Sequence, residues 1–259
     1  MFGPGVDAPA RFVETMTSQA KRPLISYHRG GTETHPSGTL AAYEAAISQG
    51  AEMIEFDVWQ SVDGVLFCTH DEFDDQGYRI ADRQWSEIVE TYPQVVAYLD
   101  LLRMAKGRSR CHIDVKGPGY EQQIISEAFN ELDDPATNAW FTTLDVSVAR
   151  RLSEMAEGSV VALSLGRDMA GRSKAATVAT RLGEIIPFYR LNSAGSNAVA
   201  VNERLLTRGL KFFCRLTGRK IMVWTVNDDG GLRRFLGDDA VDVLITDRPL
   251  RAAEIRDSR

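Results

Sequence analysis

No run among the 259 residues comes near the roughly 20 consecutive apolar positions that a bilayer-crossing helix needs, so a helical membrane protein is not expected. Cysteine is scarce. Cys68, Cys111 and Cys214 lack the short paired spacing of a zinc site, and three thiols do not close a disulfide framework. They read as buried, reduced thiols. Positive charge is also in short supply: 30 Lys and Arg against 36 Asp and Glu leave a formal charge of -6. That balance argues against a general affinity for nucleic acid or anionic lipid, and leaves room for a local basic pocket that holds one phosphate. The first 22 residues hold Asp7, Arg11, Glu14, Lys21 and Arg22 and no apolar stretch long enough for a signal-peptide core. Residues 1–22 are therefore read as a tail ahead of one domain over 23–259, with a cytoplasmic location expected.

What is present suits a full core. Hydrophobic residues make up 44% and charged residues 25%, the balance of an ordinary globular interior. No low-complexity stretch divides the chain. Short β-branched and apolar runs alternate with longer amphipathic segments, the pattern of βαβ units sharing a parallel sheet. Strands are expected at 24–28, 53–58, 65–70, 111–116, 140–143, 160–163, 185–189, 220–226 and 241–246. Thr39 precedes a run of good helix formers that stops at Gly50, so it is expected to cap a helix there. Further helices are expected at 85–91, 97–105, 121–132, 146–157, 171–182, 202–216 and 231–236. Eight alternations plus one extra short strand near Val65 suit an α/β fold, a single-domain TIM-type (β/α)8 barrel. No glycine-rich dinucleotide fingerprint follows the first strand, which counts against an open Rossmann sheet. Residues 71–99 are the expected surface excursion.

In a parallel barrel the strand C-termini share one rim, so polar residues at several strand ends converge despite wide sequence separation. His28 and Arg29 end the first expected strand, Glu55 and Asp57 lie on the second, His70 ends the extra strand, and Asp114 and Lys116 lie on the next. Alternate strand residues face one side, so Glu55 with Asp57, and Asp114 with Lys116, each point the same way. Three hard carboxylates beside two imidazoles repel and desolvate each other unless a cation neutralises them. Oxygen donors favour Mg²⁺, Ca²⁺ or Mn²⁺, and one divalent cation is the simplest account.

Several segments, in order, resemble the glycerophosphodiester phosphodiesterases. They are His28-Arg29-Gly30, Gly38 through Tyr43, Gly50 through Val58, Asp63-Gly64-Val65 and Thr69-His70-Asp71, followed by Val223-Trp224-Thr225-Val226-Asn227 and Ile245-Thr246-Asp247-Arg248-Pro249. The resemblance spans residues 24 to 250 and is weakest between 145 and 200. It implies hydrolysis of a small-molecule phosphodiester, a deacylated phospholipid headgroup, to an alcohol and glycerol phosphate. It further implies His28 and His70 as general acid and base or as nucleophile and acid, with Glu55 and Asp57 as metal ligands. We assign His28 as base and His70 as acid, Asp114 as third ligand, and Arg29, Lys116 and Trp224 to substrate binding.

Two departures stand out. Many family members carry a glutamate in a Glu-x-Lys strand where this chain has Asp114-Val115-Lys116, and Asp-x-Lys is the pattern of the related sphingomyelinase D branch. The short span from His70 to Asp114 leaves little or no room for an insertion domain, which leans the same way. Pro36-Ser37-Gly38-Thr39 stands where the family usually has Pro-Glu-Asn-Thr. The alternatives are a lysophospholipase D or sphingomyelinase D-like enzyme that forms a cyclic phosphate, and a non-catalytic phosphate-ligand binder.

Plainer readings apply elsewhere. His35 is expected in a loop, and His112 on a strand facing away from Asp114's partners or packed between layers. Asn227 and Asp228 read as caps of the next helix, and Asp247-Arg248-Pro249 as a structural cap and stop. Asp71 is expected to orient His70. For Glu55 and Asp57 the competing reading is a structural ion-pair network with Arg29 and Lys116.

Overall fold

A computed structural model describes residues 22–166 and 187–258. The expected tail, apart from Arg22, and the expected helix at 171–182 lie outside the described residues.

The chain enters on β1 (Leu24–Tyr27) and turns through a single helical turn at His28–Gly30 into α1 (Leu40–Ser48). Thr39 caps that helix by accepting from the Ala42 N–H at 3.2 Å. Next come β2 (Met53–Gln60), the short β3 (Leu66–Cys68), α2 (Trp85–Thr91), β4 (Val96–Ala97), α3 (Tyr98–Ala105), β5 (Arg110–Val115) and α4 (Glu121–Glu131). A short α5 (Pro135–Asn138) precedes β6 (Ala139–Thr143), α6 (Val146–Met155) and β7 (Val160–Leu165). The last part runs α7 (Phe188–Ser193), β8 (Ala198–Asn202), α8 (Arg208–Thr217), β9 (Lys220–Trp224), α9 (Asp229–Leu236), β10 (Val243–Thr246) and α10 (Pro249–Asp257).

The parallel order β1-β10-β9-β8-β7-β6-β5-β2 closes on itself because β1 also pairs with β2. The result is the expected eight-stranded TIM-type barrel. Strand alternation separates two apolar layers. Ile54, Phe56 and Val58 of β2 face outward into the main core beside helix residues such as Tyr43, Leu101 and Leu102. Met53 faces inward with Ala162, Ala198, Ala200, Met222, Val243 and Ile245, which plug the barrel interior. The interior is thus a packed floor, with its upper layer left to polar residues.

β2 outruns the rim. Its last residues, Val58 to Gln60, pair antiparallel with β3, which pairs in turn with β4. This excursion has its own small core of Trp59, Phe67, Ile80, Ala81 and Ile88. Trp59 Nε1 donates to the Thr69 carbonyl at 3.1 Å, which fixes the backbone just before His70.

Of the strand expected at 185–189, residues 185 and 186 lie outside the described residues, and the rest is not a strand. Residues 187–189 form a turn and the start of α7, and the strand is Ala198–Asn202. The helix expected at 202–216 accordingly starts only at Arg208, after Thr207 accepts from the Leu210 N–H.

Candidate active site

Strand register assembles the carboxylates. Asp57 of β2 lies directly opposite Asp114 of β5, and Asp114 lies opposite Thr142 of β6. Glu55, one inward step below Asp57, stands opposite His112. One oxygen from each of Glu55, Asp57 and Asp114 falls within 4.8 Å of the others, so the three can hold a metal ion. Glu55 and Asp57 are buried, with 4% and 3% of their surface exposed.

Lys116 is drawn down between two of them. Its ammonium donates to Asp57 Oδ1 at 2.6 Å and to Asp114 Oδ2 at 2.5 Å. Burial opposes the charge on Lys116, but Asp114 and Asp57 hold its pKa well above the ordinary lysine value. Asp114 is likewise disfavoured by burial, yet Lys116 and the Thr142 hydroxyl, which donates to Oδ1 at 2.7 Å, keep its pKa low. The structural ion-pair network is therefore present, with Lys116 rather than Arg29 as its cation.

One ammonium does not balance three carboxylates. Burial and then Asp57 push the Glu55 carboxyl up to about 8, with His28 giving partial relief. Asp57 Oδ2 is buried with no hydrogen-bond partner. A buried carboxylate oxygen without a donor is costly, and an oxygen-binding dication would satisfy it and cancel the excess charge. The donor set therefore fits a hard divalent ion. The shorter Asp114 reaches the cluster without help from backbone distortion in β5.

Backbone strain is instead concentrated at the end of β1. Arg29 has φ 49° and ψ 39°, and Gly30 and Gly31 follow with φ of 79° and 84°. For a residue with a Cβ this left-handed conformation costs about 1–2 kcal/mol. It lays the chain over the rim so that the Arg29 N–H donates to Glu55 Oε2 at 2.9 Å. Gly30 accepts the turn at no such cost, and a Cβ there would come within 3.0 Å of Ala42 on α1. The Arg29 guanidinium lies 3.9 Å from Asp247. Arg29 is not among the residues that line the cavity.

Both rim histidines carry a carboxylate on Nδ1. His28 Nδ1 is 2.7 Å from Asp247 Oδ1, and His70 Nδ1 is 2.9 Å from Asp71 Oδ1. An ionised carboxylate makes Nδ1 the donor, so Nε2 of the neutral ring is free to accept a proton. His28 Nε2 lies 4.0 Å from Glu55 Oε2. Burial lowers the His28 pKa, but Glu55 and Asp247 outweigh it and the net shift is upward. His70 is more open, with 52% of its side chain exposed.

Asp247 thus corrects the reading of Asp-Arg-Pro as a plain stop. It receives a 2.6 Å bond from Asn227 Nδ2, so Asn227 holds Asp247 rather than capping α9, which Asp228 does alone. Its pKa is held down by His28, Asn227 and Arg29 against burial. His112 is corrected too. It faces into the barrel beneath Asp114, with Nδ1 3.1 Å from Ser26 Oγ and Nε2 3.0 Å from Thr142 Oγ1. Burial pushes it down to about 4, so it is neutral and links to Asp114 through Thr142. His35 is exposed in its loop, as expected.

These groups surround a cavity of about 210 Å³ at the C-terminal rim, lined by His28, Glu55, Asp57, His70, Asp114 and Lys116 on one side. Leu144, Ala200, Trp224 and Ile245 form the opposite, apolar side. The Trp224 ring lines this wall while its buried Nε1 has no acceptor.

The fold and site define a TIM-type barrel whose rim joins a carboxylate cluster to two carboxylate-backed imidazoles. Comparison with known proteins finds similarity to one family. The sequence model of the glycerophosphoryl diester phosphodiesterase family matches residues 28–110. The Arabidopsis thaliana glycerophosphodiester phosphodiesterase GDPD6 is 40% identical over 75 residues, 29% of this chain and 20% of that protein. GDPD4 of the same plant is 24% identical over 254 residues, covering 88% of this chain and 71% of the relative. The chain thus spans about a fifth of the length of the first curated relatives it matches. The structure of an Oleispira antarctica phosphodiesterase in complex with the product sn-glycerol-3-phosphate superposes with a TM-score of 0.69. It is 16% identical, over 91% of this chain and 97% of that one. The matched segments are thus similar in sequence to glycerophosphodiester phosphodiesterases, and the solved structures share the barrel fold.

Proposed function

We propose that this chain hydrolyses glycerophosphodiesters to an alcohol and glycerol phosphate with the help of one divalent cation, Mg²⁺, Ca²⁺ or Mn²⁺. The observation that carries the reading is a cavity whose lining joins an acidic oxygen cluster to two histidines, each backed at Nδ1 by a carboxylate. Glu55, Asp57 and Asp114 would hold the cation, which when bound supplies Lewis-acid charge withdrawal from the phosphate. Lys116 stands ready as a second positive charge beside the phosphate oxygens.

His28 acts as base. Its upward shift comes from Glu55 and Asp247; with Glu55 engaged as a ligand, burial favours the neutral ring that accepts a proton. Asp247, fixed by Asn227, then stabilises the imidazolium formed on His28. His70, at the more open edge, acts from its imidazolium form: Nε2–H gives its proton to the departing alkoxide while Asp71 holds Nδ1–H, after which His28 loses its proton to solvent and His70 regains one from it. The apolar wall with Trp224 accommodates the carbon skeleton of the glycerol or headgroup. The glycerol-3-phosphate held by the Oleispira antarctica protein supports a product of this class.

Purified protein assayed with glycerophosphocholine and glycerophosphoethanolamine, with each cation and with chelator, tests the reading. Metal-dependent alcohol release that is lost in His28→Ala and His70→Ala is the expected result. No turnover with any of the three cations refutes it. Phosphorus NMR of the product separates direct hydrolysis from the cyclic-phosphate route suggested by Asp114 and Lys116, since a cyclic species that persists would replace the monoester.

A further inference from the structure

Charge is unevenly spread along this acidic chain. Residues 187–220 contain seven Lys and Arg against a single carboxylate, Glu203, within a protein of formal charge -6. Helix α8 has no Asp or Glu at all. It buries Leu210 and Cys214 against the barrel and turns Arg208, Phe212, Arg215 and Leu216 to solvent. Those four follow helical spacing, so they form one stripe.

The stripe is apolar as well as basic. Phe212 is 64% exposed and Leu216 is 69% exposed, and Tyr189 on the adjoining α7 is 82% exposed. They are the three most exposed large apolar side chains among the described residues. The two helices are joined there by Phe188 and Phe213, whose ring centroids are 4.4 Å apart. Some of the cations are structural: Lys211 pairs with Asp238, and Arg219 donates to Ser196 O and Asn192 Oδ1. Arg208 and Arg215 have no ion-pair partner among the described residues.

We propose that the α7–α8 face docks on an anionic phospholipid surface. Phe212, Leu216 and Tyr189 enter the boundary between headgroups and acyl chains, while Arg208 and Arg215 meet lipid phosphates. A basic helix face with protruding Phe and Leu has the composition of helices that lie in the membrane interface. The net negative charge does not forbid this, because at physiological salt only charges within about 8 Å of the surface are felt strongly. A second copy fits worse, since two such faces would set Arg208 and Arg215 against their own kind with no acid on α8 to answer them. The location also suits a substrate derived from lipid. Only residues 203–207 separate α8 from the end of β8, where Asn202 pairs with the cavity residue Trp224.

Docking is independent of the phosphodiesterase reading and is tested without turnover, by sedimentation of the full chain with vesicles of phosphatidylcholine alone or mixed with phosphatidylglycerol. Binding to the mixed vesicles only, weakened by salt, is expected. Arg208→Glu with Arg215→Glu is expected to lower partitioning by at least about 30-fold, taking about fivefold per basic residue lost from the surface. Phe212→Ser with Leu216→Ser is expected to abolish it. Circular dichroism and turnover of a soluble glycerophosphodiester should be unchanged in both variants. No binding to mixed vesicles, or binding that both variants retain, overturns the proposal. So does a concentration-dependent dimer that the serine variant dissolves, or a preference for nucleic acid or an acidic protein over the vesicles.

Discussion

Glu55 makes the cation site testable by stability alone. Its carboxyl is pushed from 4.5 up to about 8, first by burial and then by Asp57. A group whose folded pKa lies above its unfolded value favours folding while it is protonated. Its contribution is complete below about pH 4.5 and is lost as pH rises through about 8. At about 1.4 kcal/mol per unit, ionising Glu55 costs the metal-free protein on the order of 5 kcal/mol across that window. For a domain of this size that is roughly 10–20 °C in Tm. A divalent cation binds the ionised form, so its stabilisation has the opposite slope and grows over the same range. At a hundredfold excess over Kd it contributes about 2.7 kcal/mol.

The assay is scanning fluorimetry between about pH 5 and about pH 9, with chelator or with added Mg²⁺, Ca²⁺ or Mn²⁺. The metal-free Tm should fall with rising pH, and the gap between loaded and metal-free protein should widen. Glu55→Gln removes the charge but keeps an oxygen to accept from the Arg29 N–H. It should raise the metal-free Tm at high pH and flatten the cation response. A cation shift of equal size at both ends of the range, or one that Glu55→Gln leaves intact, would refute the assignment of Glu55 as a ligand under electrostatic strain.

Three further outcomes follow from the same geometry. Asp247→Asn removes one of the two groups that raise His28, so the His28 titration seen by NMR should move down and turnover should fall by about 100-fold. Thr142→Val keeps the shape but deletes the hydroxyl that joins His112 to Asp114; calorimetry should show cation affinity reduced by about 10- to 100-fold with circular dichroism unchanged. Gly166→Ala places a Cβ 2.5 Å from Asn202 Cβ and 3.3 Å from the Trp224 ring, at φ +118°. It should cost about 1–3 kcal/mol in denaturant unfolding and shift the tryptophan fluorescence, whereas a wild-type curve would mean the wall beside Trp224 is loose.

The barrel was legible because its strands alternate, and the carboxylate cluster because Glu55 and Asp57 share a strand face two residues apart. The strand misplaced at 185–189 shows where that reading weakens. Residues Ile185 and Ile186 with the aromatics after them have the bulk and branching of a buried strand, but Pro187 lacks an N–H for a ladder and instead precedes α7. The true strand, Ala198 to Asn202, carries small inward residues because Ala198 and Ala200 face a floor already filled by Trp140 and Met222. Its weak apolar signal is a consequence of where it packs.

The site residues that escaped notice did so for a different reason. Asp247 looks like the first part of an Asp-Arg-Pro stop, and its tie to His28 joins chain segments 219 positions apart, a pairing set by barrel closure between β1 and β10. Barrel closure carries no local sequence signal. His112 is another matter. The alternation that sets Asp114 and Lys116 on one side of β5 also puts His112 on that side, one inward step lower, where Ser26 of β1 and Thr142 of the neighbouring β6 meet both its nitrogens. Applied one step further down the strand, the same rule leads from Asp114 to the Thr142–His112 bracket that holds it. A carboxylate shorter than the family's usual glutamate is placed in the cluster by that bracket and by Lys116, so its orientation, more than its reach, is what the fold controls.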